Sequence, residues 1–134
     1  MNEQANLQIA KEAYAAFGRG DIAALLGYYA PNAELISHGP KGIAAWAGTY
    51  QGREQIGQFF ARLDAVLETL AFTQEEFIGQ GDKLVMLGRY RGRVRATGRE
   101  MESTPIHVMT FADGQIKQMR LFDDNAWVIG GLIG

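Results

Sequence analysis

Two aspartates in tandem, Asp123 and Asp124, close the segment MRLFDD, and the two histidines of the chain stand at 38 and 107. Burial among apolar side chains disfavours the charged form of a carboxyl and raises its pKa. A buried Asp124 would therefore suit general-base chemistry near neutral pH. The same residue could instead cap the following segment NAWVIGG as an N-cap. If the strand before it is regular, Asp124 shares a face with Phe122 and Asp123 points the other way; a bulge would exchange them. His107, in STPIHVMTF, shares its face with Met109 and Phe111. There it could donate a hydrogen bond or shuttle a proton, or be a core histidine bonded to a neighbour. Tyr90, between Gly88 and Gly92, could offer its phenol to a ligand carbonyl or simply pack. His38, in ISHGP, could line a cavity mouth, and Trp46 with Tyr50 could form an aromatic lip or cover their own core.

Other chemistries lack their residues. Without cysteine there is no thiol nucleophile, disulfide or Cys-based zinc site. The two serines, Ser37 and Ser103, sit in no G-x-S-x-G elbow. No phosphate-binding glycine motif is present. Two histidines 69 positions apart give little support for a metal site. No metal or other cofactor is expected.

The chain of 134 residues suits one domain, 1–134, and its 47% hydrophobic and 21% charged residues suit a soluble globular one. MNEQANLQ has no signal-peptide pattern, and the longest apolar stretch, AWVIGGLIG, is too short to span a bilayer. A cytoplasmic protein without a membrane partner is expected. Leu7, Ala10, Tyr14 and Phe17 mark an amphipathic helix that Gly18 stops; Asp21 can cap a second, IAALLGYY, ended by Pro31 and Asn32. AELIS reads as a short strand. A glycine-rich loop covers 39–52, and a third helix starts near Arg53 with Ile56, Phe59, Phe60, Leu63 and Leu67 on one side. Residues 70–79, 83–97, 101–112 and 115–124 then read as strands joined by the turns GQGD, TGRE and ADGQ. The order α-α-β-α-β-β-β-β predicts an α+β fold with a mainly antiparallel sheet.

The segment RYRGRVR puts arginines at 89, 91, 93 and 95, every second residue. Strand alternation sends them to one face and Leu84, Met86, Gly88, Tyr90, Gly92, Val94 and Ala96 to the other. Four buried, unpaired arginines would be prohibitively costly, so they should face outward and pair with acids on neighbouring strands. A net charge of −2 gives them no basic field to share, and a nucleic-acid partner is not expected. Inward Gly88 and Gly92 suggest a bent sheet with space above it.

These pieces carry a resemblance. AYAAFGRGDIAALLGYYAPNAEL, WAGTYQGREQIGQFFARL, GDKLVMLGRYRGRVRATGR and HVMTFADGQIKQMRLFDD together resemble the NTF2-like superfamily, in its SnoaL-like and ketosteroid-isomerase-related branch. The resemblance implies a cone: a curved sheet wrapped around about three N-terminal helices, with an internal cavity open at one end. It implies homodimers in many members, and functions from isomerisation, cyclisation, epoxide hydrolysis and dehydration to plain binding. Asp124 falls where many SnoaL-like proteins and limonene epoxide hydrolases place a pocket aspartate. His107 falls where ketosteroid isomerases carry their oxyanion-hole aspartate. Their base position falls on Ser37, and their tyrosine on Ala13, with Tyr14 one place off and about 100° around the helix. The arginine and aspartate of the epoxide hydrolases fall on Gly88 and Tyr90. Neither mechanism is expected intact.

The last two strands look apolar on both faces, with His107, Met109, Phe111 and Phe122 inward and Ile106, Val108, Met119 and Leu121 outward. Something must cover the outer face. A second copy of the chain is preferred, and the tail with Trp127, Val128 and Ile129 is the alternative. The expected function is a small-molecule cavity that acts on, or only binds, an apolar carbonyl or cyclic compound. Asp124, His107 and Tyr90 are the catalytic candidates; Trp46, His38, Tyr14, Met86, Met109 and Phe60 are the ligand contacts. The alternative is a non-catalytic ligand-binding or protein-interaction homodimer.

Overall fold

The computed structural model describes residues 3–133. Its elements are α1 (Glu3–Gly18), α2 (Ile22–Gly27), β1 (Tyr29–Ser37), β2 (Gly48–Gln51), α3 (Gly52–Val66), β3 (Leu67–Gln80), β4 (Lys83–Val94), β5 (Glu100–Ser103), β6 (Ile106–Ala112), β7 (Gln115–Phe122) and α4 (Asn125–Ile133). The sheet runs β2-β1-β7-β6-β4-β3, with β5 also on β4. Every pairing is antiparallel except β1 with β7. Helices therefore lead into a curved, mainly antiparallel sheet, as the order of patterns predicts. No helix among the described residues is long and apolar enough to cross a membrane.

Local chemistry sets the helix bounds. The Asp21 carboxylate accepts the Ala24 amide at 3.0 Å and caps α2. Ala10, Ala13 and Ala16 are buried on α1; their small side chains let the helix approach the sheet and leave Tyr14 and Phe17 to reach across. The Arg53 guanidinium at the start of α3 donates twice to the Tyr29 carbonyl, at 2.9 and 2.7 Å, and ties α3 to β1.

Several boundaries differ from the sequence pattern: Leu67, expected on the third helix, opens β3, and the strand expected to reach 97 ends at Val94. β1 begins at Tyr29 and passes through Pro31, which is exposed and lies in the gap where the register against β7 shifts. Its missing N–H therefore costs no ladder bond. The loop over 39–52 contains β2. The expected strand 101–112 is cut at Thr104 and Pro105, so β5 and β6 pair separately with β4. The tail folds as α4, which packs on β5.

The two strand glycines bend the sheet with help from their partner. Thr69 pairs with Gly92 and Ala71 with Arg91, so Leu70 is an extra residue; Gln74 pairs with Gly88 and Glu76 with Leu87, so Glu75 is another. Each glycine of β4 thus faces a bulge in β3, a combination that coils a strand sharply. The space above the glycines is filled, which corrects the expectation of open room there. A Cβ at Gly92 would stand 2.7 Å from the Tyr90 hydroxyl, and one at Gly88 would stand 2.8 Å from both the Met86 sulfur and the Thr73 carbonyl. The arginines of β4 do face outward. Arg89 pairs with Glu75, Arg91 with Glu100, Arg93 with Glu68 and Glu100, and Arg95 with Asp64, at 3.0–3.8 Å. Their solvent exposure limits each pair to about 0–1 kcal/mol.

A further bulge decides which side chains of β7 face the helices. Thr110 pairs with Gln118 but Phe111 with Ile116, leaving Lys117 as the extra residue. Alternation restarts there. Met119 and Leu121 turn inward, not outward as regular alternation predicts; Phe122 pairs with Ile106 beside Arg120, whose guanidinium lies 5.0 Å from its ring, yet it also lines the cavity, as expected.

Gly92→Ala should cost about 1–3 kcal/mol of unfolding free energy through overpacking against Tyr90. In a Tyr90→Ala background that cost should vanish; chemical denaturation of the double-mutant cycle checks it.

Candidate functional site

An apolar cavity of about 130 Å³ lies between α1, α3 and the concave face of the sheet. Phe17, Phe59, Phe60, Phe72, Met109 and Met119 supply much of its wall, and no lysine or arginine among the described residues lines it. Its polar groups fall at two stations.

The first is buried. The Tyr14 phenol and His107 Nδ1 are 2.7 Å apart, with the rings stacked at 20°. Phe72 and Phe77 pack around the tyrosine. Burial holds the His107 pKa down to about 3, so the ring is neutral. Burial, and then the neighbouring Tyr29 phenol, raise the Tyr14 pKa well above its ordinary value. Burial alone raises that of Tyr29. Both partners of the short bond are thus uncharged. If the phenol donates to Nδ1, the ring keeps an Nε2–H; if Nδ1–H donates, the phenol keeps its O–H. Either tautomer leaves one neutral donor to offer a ligand.

The second station stands at the rim. Asp123 lines the cavity while one side of it meets solvent. Partial burial raises its pKa; the nearby Ser103 hydroxyl, beyond hydrogen-bond geometry, and the Asp124 amide at 2.8 Å act the other way. Tyr90 is close enough that the Asp123 charge helps burial to raise the phenol's pKa, against the 3.1 Å hydrogen bond with Thr69. The rim therefore holds a carboxylate of raised pKa beside a neutral phenol.

The SnoaL-like domain pattern matches residues 10–119. The chain belongs to the SnoaL-like family. It shares 27% identity with an uncharacterised protein of Mycobacterium tuberculosis over 123 residues, 91% of each chain. Among solved structures, an NTF2-like protein of Burkholderia thailandensis matches at a TM-score of 0.86, with 29% identity and full coverage of both chains. TerC, solved after co-crystallisation with polyporic acid, matches at 0.86, with 26% identity over 97% of this chain and 99% of its own. The NTF2-like cone anticipated from the sequence motifs is the fold of this SnoaL-like chain.

Within that fold, Asp123 and not Asp124 reaches the cavity. The Lys117 bulge makes the exchange, because Met119, Leu121 and Asp123 then alternate on the inner face. Asp124 accepts the Ala126 amide at 3.1 Å and its carbonyl takes the Val128 amide, so it caps α4. The one-residue offset of Tyr14 does not carry its phenol away, since Ala13 and Tyr14 both line the cavity; a helix lying in a concave sheet presents more than 100° of its surface to it. Tyr90, Trp46, Met109 and Phe60 also line it. His38 stands at the rim, its ring stacked 4.4 Å from Phe122. Met86 is fully buried behind the wall, over Gly88, and does not line the cavity. Tyr50 lies behind Trp46, donating to its carbonyl at 2.8 Å. Sequence reasoning missed Tyr29 as a cavity residue, because IAALLGYY reads as helix and hides the start of β1. Ser37, on which the base position of the ketosteroid isomerases falls, stands in the cavity wall.

The neutral His107 makes stability depend on pH. Its folded pKa of about 3 lies below the ordinary 6.5, so between those values the unfolded chain binds a proton that the folded chain does not. The contribution is complete above that upper value and is lost as pH falls, by up to about 1.4 kcal/mol per pH unit. Urea unfolding between pH 6 and pH 4 should show wild type losing stability more steeply than His107→Leu by about that slope.

Proposed function

We propose that this SnoaL-like protein is an acid–base enzyme acting on a neutral apolar carbonyl or cyclic compound. The observation that carries the reading is the uncharged Tyr14–His107 pair inside an apolar cavity that has one carboxylate, Asp123, at its rim. The pair would hold the carbonyl oxygen and stabilise the negative charge that develops there, an effect strongest where water is excluded. Asp123 would take the proton from the adjacent carbon and return it elsewhere on the substrate, with Tyr90 holding the rim. The absence of a cation from the cavity wall favours a neutral ligand over a carboxylate. TerC, of similar fold and chain coverage, was crystallised with polyporic acid, which supports a small-molecule role for the cavity.

The reading extends to a second copy of the chain. Across the outer face of the sheet, Ile36, Arg120, Val108, Val85 and Ile78 form one row, and Phe122, Ile106 and Leu87 form the next. Ile78 and Ile106 are 53% and 40% exposed. The adjoining row is polar and already bonded to itself: Gln118 and Gln51 donate to Glu34, and Lys83 to Thr110, at 2.7–2.8 Å. An apolar field with a polar border is the layout of a protein interface. A homodimer through this face is the reading it favours.

Deuterium incorporation next to the carbonyl of cyclic ketones tests the chemistry. Asp123→Asn should slow exchange roughly 10²–10⁴-fold, and Tyr14→Phe roughly 10²–10³-fold. Asp124→Ala should leave the rate intact and cost about 1 kcal/mol of stability, as loss of a cap does. Exchange undiminished in Asp123→Asn would remove the base assignment, and tight binding without exchange would leave a binding protein. Light scattering at micromolar concentration should return twice the chain mass, and Ile106→Glu should return one; a single-chain mass for wild type rejects the dimer.

A further inference from the structure

The cavity is small for the ligands that its fold could enclose. An apolar void of ~150 Å³ takes up benzene, and this one measures about 130 Å³. A single ring fills it. Behind the wall formed by α1, α3 and β3, however, lies a groove of about 890 Å³. Six residues, Tyr14, Phe17, Phe60, Leu63, Leu67 and Phe72, line both spaces. One layer of side chains therefore separates them. In that layer Phe17 meets Phe60 and Phe72 with ring centroids 6.0 Å apart, tilted or edge-on. Aromatic contacts of this kind pivot about χ1 and χ2 without breaking a hydrogen bond. Beyond them the groove offers apolar ground in Ile22, Leu70, Ala15 and Ala71; of its charged residues Asp64 is paired with Arg95 and Glu68 with Arg93, and Lys11 lines it too.

We propose that the site takes a single-ring compound bearing a linear apolar substituent. The ring sits beside Tyr14 and His107, and the substituent leaves between Phe17, Phe60 and Phe72 into the groove. This rests on the reading of the Tyr14–His107 pair as the ligand's anchor and names the substrate class of that same site. Single rings gain affinity with each methylene that reaches the groove.

The test is an NMR titration of phenol and 4-alkylphenols from methyl to hexyl. Wild type should bind each longer homologue roughly two- to fourfold more tightly per added methylene. Ala15→Trp and Ala71→Trp, on exposed positions of two different elements, fill the groove. Both should abolish the gain with chain length and leave the affinity for phenol unchanged. Affinity that is flat or falls with chain length in wild type, or a gain that survives in both variants, overturns the route through the groove. Phenol binding that is undetectable, or unchanged in Tyr14→Phe, overturns the anchor and the route together. Phenol binding weakened by Tyr14→Phe but without a chain-length gain overturns the route alone.

Discussion

The extra residue at Lys117 shifts the alternation of β7, and most of the site depends on that shift. In a sheet with one face on the helices, a one-residue slip moves every later side chain to the other face. After the bulge, Met119 and Leu121 complete the cavity wall and Asp123 follows them to the rim. Phe122 stands beside Ile106 and Arg120 at the cavity mouth, and Asp124 is left free to cap α4. Without the bulge the inner face would carry Arg120 and Gln118 against Met109, an arrangement that buries charge and amide without partners. The bulge therefore reconciles a strand whose apolar residues do not follow one period with a core that admits only apolar ones.

Curvature supplies the volume that this wall encloses. The paired bulges and glycines of β3 and β4 bend the sheet at two heights, and the small residues of α1 let the helix settle into the bend. Close packing then takes back most of the room: Met86 folds over Gly88 and Tyr90 over Gly92. What remains is about one ring's worth of space. The surface arginines do little for this core. They pair with acids along exposed strands, keeping the outer face of β4 solvated.

Where the chain is regular, its faces could be read directly. The alternation of β4 is unbroken over twelve residues and its two faces differ sharply in chemistry, so the arginines and their opposite side could be assigned from spacing alone. The stripe of α1 and the cap at Asp21 were equally legible, because each depends on neighbours within one turn. The bulge at Lys117 was not. A polar residue in a mixed strand carries no local signal that it is supernumerary; only the partner strand defines it. The start of β1 was hidden for a similar reason, since Tyr28 and Tyr29 extend a helical pattern until the sheet claims them. Tandem Asp123 and Asp124 posed the question openly, and long-range register, which no local spacing encodes, chose between them.

Solvation orders the site's polar groups from depth to rim. At the inner station, removal from water keeps both Tyr14 and His107 neutral, 2.7 Å apart. At the rim, partial burial makes Asp123 hold its proton more tightly than a free carboxylate does. A base set deep would be protonated and inert, while a donor set at the rim would spend its proton on solvent. The arrangement places each group at the depth where its useful protonation state is the stable one. The proposed acid–base chemistry would use a neutral donor where the cavity is driest and a carboxylate where it opens. Which strand position supplies the carboxylate is a matter of register, and in this chain it is Asp123.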